Sequence, residues 1–104
     1  MTRWTEPAAS FVRQEIRTLQ SRFLRLHAGQ KTYLLRSSIG HVAEKLDPTQ
    51  FVRIHRSTIV NIGSIRELQP CNSGEFMVTL RNGKELSCSR GYRSGLQQLI
   101  GKDL

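Results

Sequence analysis

The residues from Phe51 to Asn61 place a polar interruption inside a segment that otherwise has the composition of a β-strand. Apolar residues alternate along it, but the alternation puts Arg56 where an apolar side chain is expected. Burying an unpaired guanidinium is costly, so one continuous buried strand is disfavoured. We therefore predict two strands joined by a short turn that lifts His55, Arg56 and Ser57 into solvent. Such a turn can deliver donor side chains to a phosphate or a base edge.

The chain has 104 residues, enough for one domain with a modest hydrophobic core. Lys and Arg outnumber Asp and Glu by 16 to 8, so the net charge is +8. This balance favours a polyanionic partner, with nucleic acid ranked before an anionic membrane surface. The alternative is a basic protein that has no polyanionic partner. Because no apolar run approaches membrane-spanning length and no signal-peptide core is visible, we expect a cytoplasmic protein that does not enter a membrane.

Catalysis and cofactor binding are not expected. Acidic residues are few and scattered, and the sequence has no glycine-rich phosphate loop. The three histidines lie 14 residues apart each time, which matches no helical metal motif. Cys71 and Cys88 have no metal-site spacing either, and both thiols should be reduced in a cytoplasm. Ser57 lies close to His55, but no third group that would orient a nucleophile is indicated.

Short strands and turns dominate residues 22–104, which we predict to form a mainly β domain with two or three short helices. Asn82-Gly83 is a strong signal for a two-residue hairpin turn. Ser37 or Ser38 can cap one helix, and Ser89 can cap a C-terminal helix. The predicted strands are 23–27, 31–35, the two that flank the polar interruption, 65–69, 76–80 and 85–88.

The N-terminal segment, residues 1–21, does not follow this pattern. Pro7 suits a first helical position, and Val12, Ile16 and Leu19 recur at helical spacing. We predict an amphipathic helix here, with shortened strands as the alternative. If strands are lost, an exposed sheet edge would need cover, which a second copy of the chain could supply.

Basic side chains form three clusters that are distant in sequence. Each borders a predicted turn or helix start, where side chains are accessible to a ligand. Sequence separation alone does not show whether the clusters meet in space. The clusters are Arg22, Arg25 and His27, then Arg53, His55 and Arg56, and finally Arg90 and Arg93.

The polar interruption resembles the hallmark of the LytTR family of bacterial DNA-binding domains, the output domains of response regulators. That hallmark is an aromatic-x-Arg-x-His-Arg-Ser-x-x-Val-Asn string, and the resemblance extends over about residues 23–100. It implies an elongated, multi-stranded β fold and sequence-specific binding of double-stranded DNA by a transcriptional regulator. Loops at one end of the strands would reach two major grooves and the minor groove between them. The resemblance also implies binding to two direct repeats in a promoter and a homodimer on DNA. It implies strands near the N-terminus as well, so the helix predicted there departs from the family.

The resemblance also implies DNA-contacting positions. Arg56, which follows the motif histidine, would face the minor groove, where narrowing concentrates negative potential. The remaining positions would contact major grooves or phosphates, although His55 could equally hold the turn backbone. The resemblance gives Leu24, Arg25, Ser89 and Arg90. We add Arg22, His27, His55, Ser57 and Arg93, which lie in the basic clusters or in the turn. One type of family member has a His at the position of Leu24 and an Arg at the position of Gly91. These two differences leave open which DNA bases this chain prefers.

Two other functions remain open. A LytTR-like module could dimerise with another regulator and bind DNA weakly, using Val12, Ile16 and Leu19 as an apolar stripe. A general RNA or polyanion binder is the third candidate. About twenty residues precede the motif region, so we expect no receiver domain, and either an excised domain or a stand-alone regulator.

Overall fold

The computed structural model of the protein describes residues 9–15, 23–28 and 31–101. Within these ranges the chain is mainly β, as predicted, and spans 36 × 30 × 24 Å. The strands are β1 Ala9–Glu15, β2 Phe23–Ala28, β3 Lys31–Arg36, β4 Phe51–His55, β5 Thr58–Asn61, β6 Ile65–Pro70, β7 Phe76–Leu80 and β8 Glu85–Cys88. The α-helices are α1 Ile39–Lys45 and α2 Arg93–Ile100, and single 3₁₀ turns cover Ile62–Ser64 and Arg90–Tyr92.

The strands form two antiparallel sheets. The larger has the order β3-β2-β1-β5-β4, and the smaller has the order β6-β7-β8. The 3₁₀ turn after β5 leads into the smaller sheet, and the Asn61 side chain begins it by accepting a hydrogen bond from the Gly63 N–H at 2.9 Å. The Asn61 side chain therefore bonds local backbone at the end of its strand.

Each face of the larger sheet is covered by a separate hydrophobic core. Neighbouring residues of one strand point to opposite faces of the sheet. Phe11 and Val60 therefore lie in one core, whereas Val12 and Ile59 lie in the other. Coverage on both faces explains why every residue of β5 is buried and why its sequence does not alternate. The core beside α1 contains Val12, Leu24, Ile39, Val42, Leu46, Phe51 and Ile59. The core beside the smaller sheet and α2 contains Phe11, Ile54, Val60, Phe76, Val78, Leu80, Leu86, Cys88 and Leu96.

The helix predicted for the N-terminal segment is wrong at Ala9–Glu15, which forms β1. This strand is central in the larger sheet and hydrogen-bonds to both β2 and β5. Two adjacent ladders and burial of consecutive apolar residues outweigh a local preference for helix, because tertiary contacts exceed propensity differences. Val12 is fully buried, so it cannot contribute to an exposed apolar stripe. The rest of the predicted helix, including Ile16 and Leu19, lies outside the described residues.

Candidate nucleic-acid interface

The turn between β4 and β5 consists of Arg56 and Ser57, so the prediction of two strands joined by a short turn is confirmed. His55 Nδ1 accepts a hydrogen bond from the Ser57 N–H at 3.1 Å and lies 2.8 Å from Ser57 Oγ. A backbone N–H can only donate, so His55 Nδ1 is the acceptor of this bond. His55 and Ser57 are half-buried and brace the turn, whereas Arg56 is exposed. Of the three residues expected in solvent, only Arg56 is fully displayed.

The carbonyl groups of this turn are also bonded by neighbouring strands. The Arg53 guanidinium donates through Nε to the His55 carbonyl at 3.4 Å and through Nη2 to the Arg56 carbonyl. The Gln14 N–H of β1 donates to the Ser57 carbonyl at 2.8 Å. These bonds hold the turn backbone from β4 and β1 at once, so the Arg56 side chain projects from a fixed support.

Three chain segments meet at the same end of the larger sheet. Glu15 at the end of β1 pairs with Phe23 at the start of β2, which in turn pairs with Arg36 at the end of β3. Gln14 holds the β4–β5 turn at this same end. Adjacent strands lie about 4.8 Å apart, so this end extends about 15–19 Å from β3 to the turn. The arrangement presents a row of accessible segments rather than one pocket.

The first basic cluster is divided by the sheet geometry. Arg25 is half-buried on β2 and pairs with Arg13 of β1, which pairs with Thr58 next to the turn. His27 lies further along β2, where its ring stacks on Phe11 with centroids 4.0 Å apart and planes 10° apart. Arg22 lies outside the described residues. Arg25 is therefore near the turn, while His27 packs against the core.

Leu24 is a correction to the predicted contact set. Its side chain is fully buried and packs in the core beside α1, so it offers no surface to DNA. Arg13, in contrast, was not predicted by sequence reasoning. Its half-buried side chain lies between Arg25 and Thr58 in the strand register. Only the register reveals it, since the surrounding segment has helical spacing in the sequence.

The third cluster is joined to the second by backbone and side-chain contacts. The Ser89 N–H donates to the Ile54 carbonyl at 2.9 Å, which ties the segment after β8 to the edge of the larger sheet beside the turn. The Arg53 guanidinium carbon lies 5.8 Å from the centroid of the Tyr92 ring. The structure therefore brings together two clusters that are more than thirty residues apart in the sequence.

Arg90 and Arg93 differ in their surroundings. Arg90 is exposed, and its aliphatic stem lies against Gly74, where an added Cβ would sit 2.7 Å from Arg90 Cδ. Gly74 has a φ of 85°, so this turn both needs glycine and leaves room for the arginine. Arg93 is half-buried, with its guanidinium 4.7 Å from the centroid of the Phe76 ring. Arg90 is thus the more available cation of the pair.

The expected cap at Ser89 is a second correction. Ser89 precedes the 3₁₀ turn Arg90–Tyr92, and its side chain makes no capping hydrogen bond. The C-terminal α-helix begins later, at Arg93, with Tyr92 in the cap position. A helix therefore forms in this region as predicted, but Ser89 and Arg90 lie in the tight turn before it.

The two cysteines differ in accessibility and should differ in reactivity. Cys71 is exposed, whereas burial raises the pKa of the Cys88 thiol to about 11, with Arg93 lowering it and Glu75 raising it to smaller extents. In the native protein near pH 8, a thiol reagent should label Cys71 quickly and Cys88 slowly, because the thiolate is the reactive form. A Cys71→Ser variant should lose the fast phase, and a fast phase retained in that variant would contradict this assignment.

The same shift predicts a pH dependence of stability. The folded pKa of Cys88 exceeds its ordinary value of 9.0, so the folded state retains the proton more strongly. The resulting contribution to the free energy of unfolding is fully present below about pH 9 and lost as the pH rises through about 11.

Within the described ranges, no three His, Cys, Asp or Glu side chains are placed to hold a metal ion, and no helix is long and apolar enough to cross a membrane.

Comparisons with known proteins find similar sequences over most of the chain. Residues 14–101 match the sequence model of a family described as the LytTr DNA-binding domain. The sensory transduction protein LytT of Enterococcus faecalis is 30% identical over 84 residues, which cover 81% of this chain and 35% of that protein. The transcriptional regulatory protein LytR of Staphylococcus aureus is 32% identical over 76 residues, covering 73% of this chain and 31% of that one. The chain therefore spans about a third of the length of these curated relatives.

A solved structure shares the fold. It is a LytTr DNA-binding domain from Bacillus cereus, which superposes with a TM-score of 0.81 at 23% sequence identity. The superposition covers 91% of this chain and 83% of that one. The likeness therefore extends over both sheets and is not limited to the hallmark string.

Proposed function

The chain belongs to the LytTr DNA-binding domain family, and from that premise we propose that it binds double-stranded DNA in a sequence-specific manner as the DNA-contacting part of a bacterial transcriptional regulator in the cytoplasm. One observation carries the proposal. An exposed arginine on a braced turn lies beside a second basic segment at one end of the larger sheet. DNA offers such a surface a regular array of phosphates and grooves.

Arg56 is proposed to enter the minor groove. A narrow minor groove has an enhanced negative potential that attracts an inserted guanidinium. The side chain is exposed and its supporting backbone is hydrogen-bonded on both sides, so little conformational freedom remains to be lost from the turn on binding. His55 and Ser57 act in this proposal mainly by holding the turn.

The dimensions of the end of the sheet fit adjacent grooves. The row from β3 to the turn extends about 15–19 Å, which is close to half of the roughly 34–36 Å helical repeat of DNA. With Arg56 in a minor groove, Arg25 and Arg13 would lie toward one neighbouring major groove. Ser89 and Arg90 would lie toward the other side, with Arg93 behind them against Phe76. The proposed contact set also includes Arg22, which lies outside the described residues, and His27, whose ring packs on Phe11.

Assembly on DNA is proposed to follow the arrangement of the target. Two copies of the domain would occupy two direct repeats on one face of the helix as a homodimer, at least when DNA is bound. Each copy would add its own phosphate contacts. Once one copy is bound, a second copy that contacts it has a raised effective concentration at the neighbouring repeat, which favours binding of both.

The proposal is tested by selecting a preferred duplex from a random-sequence library and titrating it by fluorescence anisotropy. At about 200 mM salt the selected duplex should bind at least about a hundredfold more tightly than a shuffled duplex of equal length. If about four phosphates are neutralised, affinity should fall about a hundredfold between about 50 and 200 mM salt. Equal affinity for the selected and shuffled duplexes at both salt concentrations would contradict sequence-specific binding, and equal affinity for duplex RNA would favour a general polyanion binder.

The alternative function is a LytTR-like module that dimerises with another regulator and binds DNA weakly. Its support is the outer strand β3, where Tyr33 and Leu34 are 48% and 50% exposed. Exposed apolar side chains on an edge strand are typical of surfaces that pair with another chain. Formation of a heterodimer with no sequence-specific DNA complex would favour this function over the first.

A further inference from the structure

Arg53 contacts both of the basic segments that meet beside β4. It is half-buried, and its guanidinium bonds the carbonyl groups of His55 and Arg56 in the turn. The same guanidinium lies over the ring of Tyr92, at the end of the 3₁₀ turn that contains Arg90. One side chain therefore touches the supports of two proposed DNA contacts.

The backbone explains why a side chain is needed at this point. The β4–β5 register shifts between Arg53 and His55, so Ile54 is an extra residue on β4 and the regular ladder is interrupted. The Ile54 carbonyl instead accepts a hydrogen bond from the Ser89 N–H. The bulge thus releases β4 from its ordinary ladder and connects it to the segment after β8, and the Arg53 guanidinium bonds the carbonyls beyond it.

Arginine suits this position better than lysine does. Its planar guanidinium offers several donors in a fixed geometry and can stack on an aromatic face at the same time. A lysine ammonium is a flexible point charge that cannot reproduce the planar fork. The donors of Arg53 are directed at carbonyl groups within the chain, unlike those of the exposed Arg56 and Arg90.

We propose that Arg53 is a positioning residue that sets the placement of the Arg56 turn relative to the Ser89–Tyr92 segment, and so determines how sharply the domain discriminates its DNA site, without itself neutralising a phosphate. The proposal rests on the DNA-binding function proposed above. Arg53 would thus act within the hallmark string without contacting DNA. It would fix the separation between Arg56 and the Ser89–Tyr92 segment, and that separation decides whether both can reach their grooves at the same time.

Arg53→Lys and Arg53→Gln separate positioning from contact. Arg53→Lys keeps the charge and should reduce the affinity ratio of selected to shuffled duplex about tenfold, because a misplaced segment loses base discrimination. Arg53→Gln removes the charge and should leave the slope of log affinity against log salt unchanged. Arg90→Ala, as the contact control, should reduce the magnitude of that slope by about 0.9. Circular dichroism and the thermal midpoint would establish that each variant is folded.

Two results of the DNA titrations would overturn the proposal: an unchanged affinity ratio in Arg53→Lys, or a slope change in Arg53→Gln equal to that of Arg90→Ala. If Arg53→Gln does not fold, Arg53→Lys decides the matter alone. A DNA-free measurement distinguishes this failure from failure of the proposed function. Amide NMR shifts of both Ser57 and Tyr92 should move in Arg53→Lys but not in Arg66→Lys, an exposed position on β6, and movement at neither residue or only one would exclude the link.

Discussion

Arg56→Ala is expected to weaken binding to the selected duplex by about 10- to 100-fold, corresponding to about 1–3 kcal/mol, and to reduce the salt slope by about one. The side chain is exposed, and the hydrogen bond at this residue uses its backbone carbonyl, so the bracing of the turn survives the substitution. The free energy of unfolding should therefore change by no more than about 0.5 kcal/mol. Anisotropy titrations at two salt concentrations and a urea denaturation curve measure the two quantities.

Arg66→Ala is the matched control for this experiment. Arg66 is an exposed arginine near the start of β6. The chain reaches β6 from the end of β5 that is opposite the β4–β5 turn, so Arg66→Ala removes the same charge from the opposite end of β5. Its effect on affinity should be less than about threefold, since a distant charge is screened by salt. If Arg56→Ala and Arg66→Ala weaken binding equally, net charge governs binding and the turn has no special role. Arg56→Lys should bind with intermediate affinity, because lysine keeps the charge but not the guanidinium shape.

Leu24→Ala is expected to lower the free energy of unfolding by about 2–5 kcal/mol, which is the usual cost of removing a fully buried leucine side chain. Leu24 is fully buried against a core that includes Ile39 and Val42 of α1. For a domain of this size, each kcal/mol lowers the thermal midpoint by about 4–8 °C. The variant should therefore melt at least about 8 °C lower, as circular dichroism would measure.

Leu34→Ala provides the comparison for that result. Leu34 is 50% exposed on the neighbouring strand β3, so its truncation should cost about 0.5 kcal/mol or less. A small change in stability for Leu24→Ala, together with a large loss of DNA affinity, would return Leu24 to the contact surface. Large destabilisation with unchanged affinity of the folded fraction would establish its place in the core.

Local chemistry made several elements predictable. Asn82-Gly83 lies in the turn between β7 and β8, although this turn spans residues 81–84 and not the two residues predicted, and Gly83 adopts a φ of 90° that favours glycine. Ser38 caps α1 by accepting a hydrogen bond from the His41 N–H at 3.2 Å. The misplaced charge at Arg56 identified the β4–β5 turn. Each of these depends on residues within a few positions of one another, so the sequence pattern carries the information.

The N-terminal strand depends on distant contacts instead. Val12 is part of a helical spacing in the sequence, yet β1 lies between β2 and β5, and its pairing with β5 joins residues more than forty positions apart. The same limit applies to Leu24, because a leucine beside basic residues is compatible with either a surface or a core position. Burial is decided by what packs above the strand, and α1 supplies that cover.

The short strands, the turns and an exposed arginine within an apolar segment thus follow from side-chain chemistry and local backbone preference, so the amino-acid sequence is enough to predict them. The side-by-side placement of the Arg56 turn and the Ser89–Tyr92 segment, with Arg13 and Arg25 toward the other edge, is visible only in the folded chain. Strand register accounts for this difference. Antiparallel pairing and the bulge at Ile54 set which distant residues become neighbours, and neither is encoded within any one segment.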